Sequence, residues 1–242
     1  MDRSDELVVG VMGGLGPEAT HDFFGKVLAH SNARTDQQHL HLIIDNNPKT
    51  PNRNDAIAGV GPSPGPALAT MAQRLEEAGA DFIVMACNTA HAYEKDIRRA
   101  ISKPFVSLID EVVAEVRRSH SEVRRVGLLA AQGCIDSQIY HKAFRSAGIE
   151  VVTPDPPSQS ELMKLIYRIK SGERDDSVRS SMRALAERLS QSGVGVLIAG
   201  CTEVPLVLTS QSCTLPLVDS TDVLARRCVS YARRTEPLPA GV

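Results

Sequence analysis

What most restricts the fold of this chain is a pattern that runs once and then begins again. Short apolar runs alternate with amphipathic stretches almost from end to end. The first round has strand-like runs at residues 7–12, 40–45, 81–86 and 105–108, with helical patterning at 16–28, 67–78 and 90–101. Between them, residues 46–66 read as a polar loop rich in Asn, Pro and Gly. The second round has strands at 125–130, 150–153, 194–199 and 215–218, helices at 136–147, 161–169 and 177–191, and a closing helix at 221–234. Strand–helix alternation of this kind predicts an α/β fold of parallel sheets flanked by helices. Two rounds predict two pseudo-symmetric domains, residues 1–110 plus 219–242 and residues 111–218.

The two rounds also match in detail. Each opens on a Val/Gly strand and a small-residue turn, Val9-Gly10-Val11-Met12-Gly13-Gly14 and Val126-Gly127-Leu128-Leu129-Ala130. About 75 residues later, each has an apolar strand ending in a cysteine: Phe82-Ile83-Val84-Met85-Ala86-Cys87 and Val196-Leu197-Ile198-Ala199-Gly200-Cys201. Open α/β sheets bind ligands beyond the carboxyl ends of their strands. If the halves face each other, both cysteines look into one interdomain cleft, where the active site is expected.

A lone cysteine after an apolar strand is usually core, because free Cys is among the most buried residue types. A matched pair at strand-to-helix turns is a different matter. Backbone N–H groups and a helix N-terminus at such a turn favour the thiolate. Asn88 and Thr89 beside Cys87, and Thr202 beside Cys201, can cap a helix or bind a carboxylate. Two thiols suit a reaction that removes a proton from one face of a carbon and returns one to the other, the groups exchanging acid and base roles. A thiol pKa of roughly 8.5 can be tuned toward neutrality. Without an electron sink, the carbanion needs hydrogen bonds to the adjoining carboxylate.

Composition removes other classes. The chain of 242 residues carries a net charge of −2, which gives no electrostatic case for nucleic acid or an anionic membrane. Aromatic residues make up 4% and Trp is absent, so base-stacking platforms are not suggested. No apolar run reaches the ~18 residues of a membrane span. The charged start, Met1-Asp2-Arg3-Ser4-Asp5-Glu6, lacks a signal-peptide core and places the protein in the cytoplasm. Five cysteines without a CxxC spacing argue against a disulfide framework or zinc ribbon, and histidines such as His39 and His41 show no metal spacing. No metal is expected.

Three segments carry a resemblance. Met12-Gly13-Gly14-Leu15-Gly16-Pro17-Glu18-Ala19-Thr20, Met85-Ala86-Cys87-Asn88-Thr89-Ala90-His91 and Ala199-Gly200-Cys201-Thr202-Glu203-Val204-Pro205-Leu206 resemble the signature segments of the aspartate/glutamate racemase superfamily. The glutamate branch usually has His after Cys-Thr, whereas Glu203 stands here and favours the aspartate branch. The resemblance implies cofactor-independent racemisation of aspartate or glutamate, a small amino-acid substrate, no cofactor and a homodimer. It implies Cys87 and Cys201 as the acid/base pair. It implies substrate contacts from Met12, Gly13, Gly14, Asn88, Thr89 and Thr202, and a distal-carboxylate site at Arg53 and Lys170. His91 and Glu203 are possible supports. His91 reads either as a surface residue or as a carboxylate contact, and Glu203 as a charge favoured at a helix N-terminus. The chain departs from the family where Asn52 and Asn54 flank Arg53, and where Cys134 replaces a Thr near the substrate. Cys134 is the poorer hydrogen-bond donor.

Two rivals come from the same residues. Gly14-Leu15-Gly16-Pro17-Glu18-Ala19 fits the dinucleotide fingerprint, although Asp45 lies further along than the usual ~20 residues. That oxidoreductase reading leaves the paired cysteines without a purpose. Superfamily decarboxylation or cis–trans isomerisation of a dicarboxylate would use one or both thiols. A non-catalytic ligand-binding protein is disfavoured by the intact pair.

Overall fold

The structure, a computed structural model, describes residues 6–239. It divides into two compact units, one formed by residues up to Glu111 together with those from Thr221 onward, the other Val112–Ser220.

In the first unit, β1 (Val9–Gly13), β2 (Leu42–Asn46), β3 (Phe82–Met85) and β4 (Phe105–Val106) form a parallel sheet in the order β2-β1-β3-β4. In the second, β5 (Arg125–Leu129), β6 (Glu150–Val152), β7 (Val196–Ala199) and β8 (Leu217–Asp219) repeat that arrangement as β6-β5-β7-β8. The central strands β1, β3 and β7 are buried along their whole length, which accounts for their unbroken apolar runs. The edge strands β2 and β6 are partly open to solvent.

The repeat extends to single residues. Gly10 in β1 pairs with Ile83, and Gly127 in β5 pairs with Leu197. A Cβ on Gly10 would lie 2.8 Å from the Cβ of Ala80, and one on Gly127 2.8 Å from a Leu197 methyl and 3.0 Å from Leu189. Both glycines let a helix close on the sheet, α3 (Gly65–Glu77) through Leu75 and α9 (Asp176–Ser190) through Leu189. In the second core, α8 (Pro156–Lys170) and α9 bury Leu162, Ile166, Met182 and Leu185. Both helices start on an Asp cap: Asp155 accepts from the Ser158 amide at 2.8 Å and Asp175 from Val178 at 3.0 Å.

Several elements differ from the sequence expectation. The polar stretch 46–66 contains a short helix, α2 (Arg53–Ile57), capped by the Asn52 side chain on Asn54 N–H. The expected helix at 90–101 is a 3₁₀ turn, Thr89–Tyr93, followed by α4 (Glu94–Ala100). The helix at 136–147 is two, α6 (Gln132–Asp136) and α7 (Ile139–Ser146), separated at Gln138 with φ +57°. A second unexpected helix is α5 (Leu108–Ser119), whose charged outer face carries Glu115, Arg117 and Arg118.

The chain passes between the units inside α5, after Glu111, and at the start of α10 (Ser220–Ala232), after Ser220. Within the first unit these helices are joined by a buried polar cluster. Tyr231 donates to Glu111 Oε1 at 2.5 Å, Arg227 Nε donates to Glu111 Oε2 at 2.8 Å, and Arg227 Nη2 donates to the Tyr231 hydroxyl at 2.7 Å. Arg227 also pairs with Glu236. Burial and then the Glu111 carboxylate push the Tyr231 phenol well up, so it stays a donor. Tyr231→Phe leaves a buried carboxylate oxygen short of its donor. It should lower stability by about 1–2 kcal/mol in urea unfolding, and an unchanged midpoint would show that the cluster contributes nothing.

Candidate active site

Within each unit, the candidate residues cluster at the carboxyl ends of the strands. In the first unit they lie on the turns after β1, β2 and β3. The Ala86 amide donates to the Met12 carbonyl at 3.2 Å, which ties the β3 exit to the β1 exit. Met12 itself is fully buried in the core. Gly14 has φ +77°, and a Cβ there would meet Asn47 backbone at 2.3 Å, so only glycine fits this approach. The Gly14 amide donates to Thr20 Oγ1 at 2.9 Å, and the Gly13 carbonyl accepts from Asn47 at 3.3 Å. Those two backbone groups of the turn are therefore used inside the protein.

Arg53 begins α2 and reaches back to the same turn. It donates to the Leu15 carbonyl at 2.5 Å, to Pro51 at 3.1 Å and to Thr50 at 3.4 Å. The guanidinium thus braces the loop after β2 against the turn after β1.

Cys87 lies two residues beyond β3 and is 7% exposed. Asn88 and Thr89 are buried beside it. His91 is also buried, which corrects its reading as a surface residue. Its Nε2 accepts the Leu108 amide at 3.0 Å, so the proton must sit on Nδ1, which donates to the Cys87 carbonyl at 2.8 Å. Both ring nitrogens are thereby committed to backbone, which also sets aside the carboxylate-contact reading. His91 ties the Cys87 turn to the start of α5, just past β4. Burial lowers its pKa and keeps it neutral.

In the second unit, Cys201 lies two residues beyond β7, also 7% exposed. Its thiol donates to Glu203 Oε2 at 2.9 Å. Thr202 Oγ1 donates to the same oxygen at 3.2 Å, and Lys170, the last residue of α8, pairs with Oε1. The Thr202 proton is spent on Glu203, so its hydroxyl offers a ligand lone pairs, a match for ammonium rather than carboxylate. Burial first, then the Glu203 charge, push the Cys201 thiol far up, and Lys170 opposes them.

Cys134 is fully enclosed on α6. Nearby on α7 is Tyr140, a fully buried phenol that bonds the Ser220 side chain and whose pKa burial pushes well up. Tyr140 escaped the sequence reading because it looks like any aromatic on an amphipathic helix. Gln159 escaped for a related reason. Its amide donates to the Ala130 carbonyl at 3.1 Å and holds the turn after β5. Among the described residues, no group of three or more His, Cys, Asp or Glu could hold a metal ion, and no helix is long and apolar enough to cross a membrane.

The comparisons with known proteins bear on this pair of strand exits. The Asp/Glu/Hydantoin racemase family matches residues 12–228, which span both cysteines. The chain belongs to that family. In broad class it is an amino-acid racemase. It is 30% identical to the broad specificity amino-acid racemase RacX of Bacillus subtilis (strain 168) over 227 residues, 92% of this chain and 97% of that one. It is also similar to the structure of Picrophilus torridus aspartate racemase, with a TM-score of 0.84, 30% identity and 96% of both chains covered. An aspartate racemase homologue from Pyrococcus horikoshii OT3 superposes with a TM-score of 0.74 at 27% identity, covering 93% of this chain and 98% of that one.

Because His91 is held neutral, unfolding frees it to bind a proton near its ordinary pKa. Its contribution to stability is present above about pH 6.5 and is lost as pH falls through the lowered folded value. Nitrogen-detected NMR should find the Nδ1–H tautomer of His91 persisting at pH 6. An imidazole that titrates normally would refute the bracing role.

Proposed function

We propose that the chain interconverts amino-acid enantiomers without a cofactor, with Cys87 and Cys201 as the two acid/base groups. One thiolate removes the α-proton, and the electron pair moves into the substrate carboxylate. The other thiol delivers its proton to the opposite face of the same carbon, and the enantiomer leaves. The observation that carries this reading is the duplication of one position. Two units with the same strand order each bear a buried cysteine two residues past the third strand in sequence, within a family-wide match.

In this reading Asn88 and Thr89 donate to the α-carboxylate as charge flows into it. Thr202 receives the ammonium group. Aspartate is the first candidate substrate and glutamate the second, supported by the similarity to aspartate racemases. Arg53 would meet the distal carboxylate.

A wider substrate range is favoured by two observations. Arg53 already donates to three backbone carbonyls, and Lys170 is paired with Glu203. A distal carboxylate would have to draw Lys170 from a buried partner. The similarity to a broad specificity racemase points the same way.

Incubation with L- or D-amino acids in D₂O should give deuterium at Cα with no added cofactor. Cys87→Ala and Cys201→Ala should each reduce racemisation by at least about a hundredfold, the usual scale of one acid/base group. Turnover that survives both substitutions sinks the two-thiol mechanism.

Arg53→Ala separates the substrate classes. If Arg53 meets a distal carboxylate, KM for aspartate should rise about tenfold or more while a neutral amino acid is less affected, since a charged hydrogen bond contributes roughly 1.5–3 kcal/mol. Equal effects on both substrates would assign Arg53 to bracing the loop alone.

A further inference from the structure

The two strand exits are not alike in what holds them. Cys87 has its carbonyl fixed by a neutral imidazole. Cys201 has its Sγ on a carboxylate, and that carboxylate is itself held by an ammonium. We propose that Glu203, anchored by Lys170, is a positioning residue that keeps Cys201 protonated and aimed in the resting enzyme, so that Cys201 begins the cycle as the donor of the incoming proton. This rests on the two-thiol reading above and adds an order to it.

The geometry is specific. Glu203 follows Cys201 by two residues at the start of the 3₁₀ turn Val204–Leu206. Its carboxylate is 5% exposed, and each oxygen is assigned: Oε2 takes the Cys201 thiol and the Thr202 hydroxyl, Oε1 takes Lys170. A carboxylate this buried calls for a charged partner. Lys170 supplies it and, being 32% exposed, is the solvent-side end of the chain of contacts. An ionised carboxylate beside a thiol makes loss of the thiol proton harder, because two negative charges would then face each other. Burial, the larger of the two causes, acts in the same direction.

The proton balance is closed. Cys201 gives its proton to Cα as the carbanion collapses and becomes a thiolate beside Glu203. A proton from solvent, entering at the Lys170–Glu203 pair, restores the S–H bond. The α-proton removed at the outset stays on Cys87 until it exchanges with water. The thiolate at Cys201 is thus the high-energy state of the cycle, and Lys170 limits its cost by offsetting the Glu203 charge.

The test uses Glu203→Gln and Lys170→Met in the full chain. The first removes the negative charge with little change of shape, and the second removes the positive one. Cys201 alkylation by iodoacetamide, followed by peptide fragmentation, reads the thiol without turnover. In Glu203→Gln, Cys201 should alkylate about tenfold faster at a fixed pH near neutrality, the consequence of roughly one pH unit in its ionisation. In Lys170→Met it should alkylate more slowly. For the enantiomer whose α-proton Cys87 removes, the basic limb of the kcat/KM profile reports loss of the Cys201 proton and should move to lower pH in Glu203→Gln and to higher pH in Lys170→Met.

A merely structural role would lower rates and leave that limb in place, and this result would overturn the assignment. So would unchanged alkylation in both variants. If Glu203→Gln fails to fold, the upward shift in Lys170→Met decides alone. A protein that exchanges α-deuterium while its Cys201 ignores both charges keeps the racemase reading and loses this one. A protein whose thiol responds but which exchanges no α-deuterium loses the racemase reading and the donor role with it.

Discussion

Strands β3 and β7 are central in their sheets, with a parallel neighbour on each side, so their backbone hydrogen bonds are committed throughout and the chain is released only at the carboxyl end. The candidate chemistry of each unit depends on that release. A residue at the exit sits where backbone amides have just lost their sheet partners and the next turn has not yet taken them up. A thiol placed there is enclosed by the sheet ends but not sealed within the core, as the 7% exposure of both Cys87 and Cys201 shows. Moved one residue earlier, either side chain would fall within the strand's packing. Ala86 and Gly200 hold those earlier positions, and a Cβ on Gly200 would lie 2.4 Å from a Leu128 methyl.

The exits are then fixed by different means. In the first unit the bracing bonds all end on backbone groups: Gly14 to Thr20, Asn47 to Gly13, Arg53 to Leu15, His91 to Cys87 and Leu108. In the second it is ionic, through Lys170 and Glu203, with Gln159 holding the β5 exit. A duplicated fold therefore presents two thiols in unlike electrostatic settings. Such a difference allows one group to start as an acid while the other starts as a base, without a change of residue type.

Much of the architecture was legible in the chain. The alternation of apolar runs and helical stretches located all eight strands to within a few residues, because buried parallel strands write continuous apolar runs and the helices that cover them write a 3.6-residue period. Helix α5 was missed although it buries Leu108, Ile109, Val112 and Val116, because Leu108 reads as the end of the preceding strand and the exposed face carries charges. The short helix α2 was missed because Pro51, Asn52 and Asn54 look like loop residues until the Asn52 cap is seen.

The sequence by itself determined the repeat, the strand exits and the residue types that stand at them, since periodicity and duplication are properties of order along the chain. It also placed Glu203 next to the Cys201 turn. Only the tertiary structure decided what those residues touch. Lys170 lies 33 residues from Glu203 in the chain, and Arg53 lies 38 from Leu15. His91 reads as a surface residue until Leu108, 17 residues away, is seen to donate to it. A side chain's charge state and bonding depend on distance in space and on exclusion of water, and neither quantity is written in residue order.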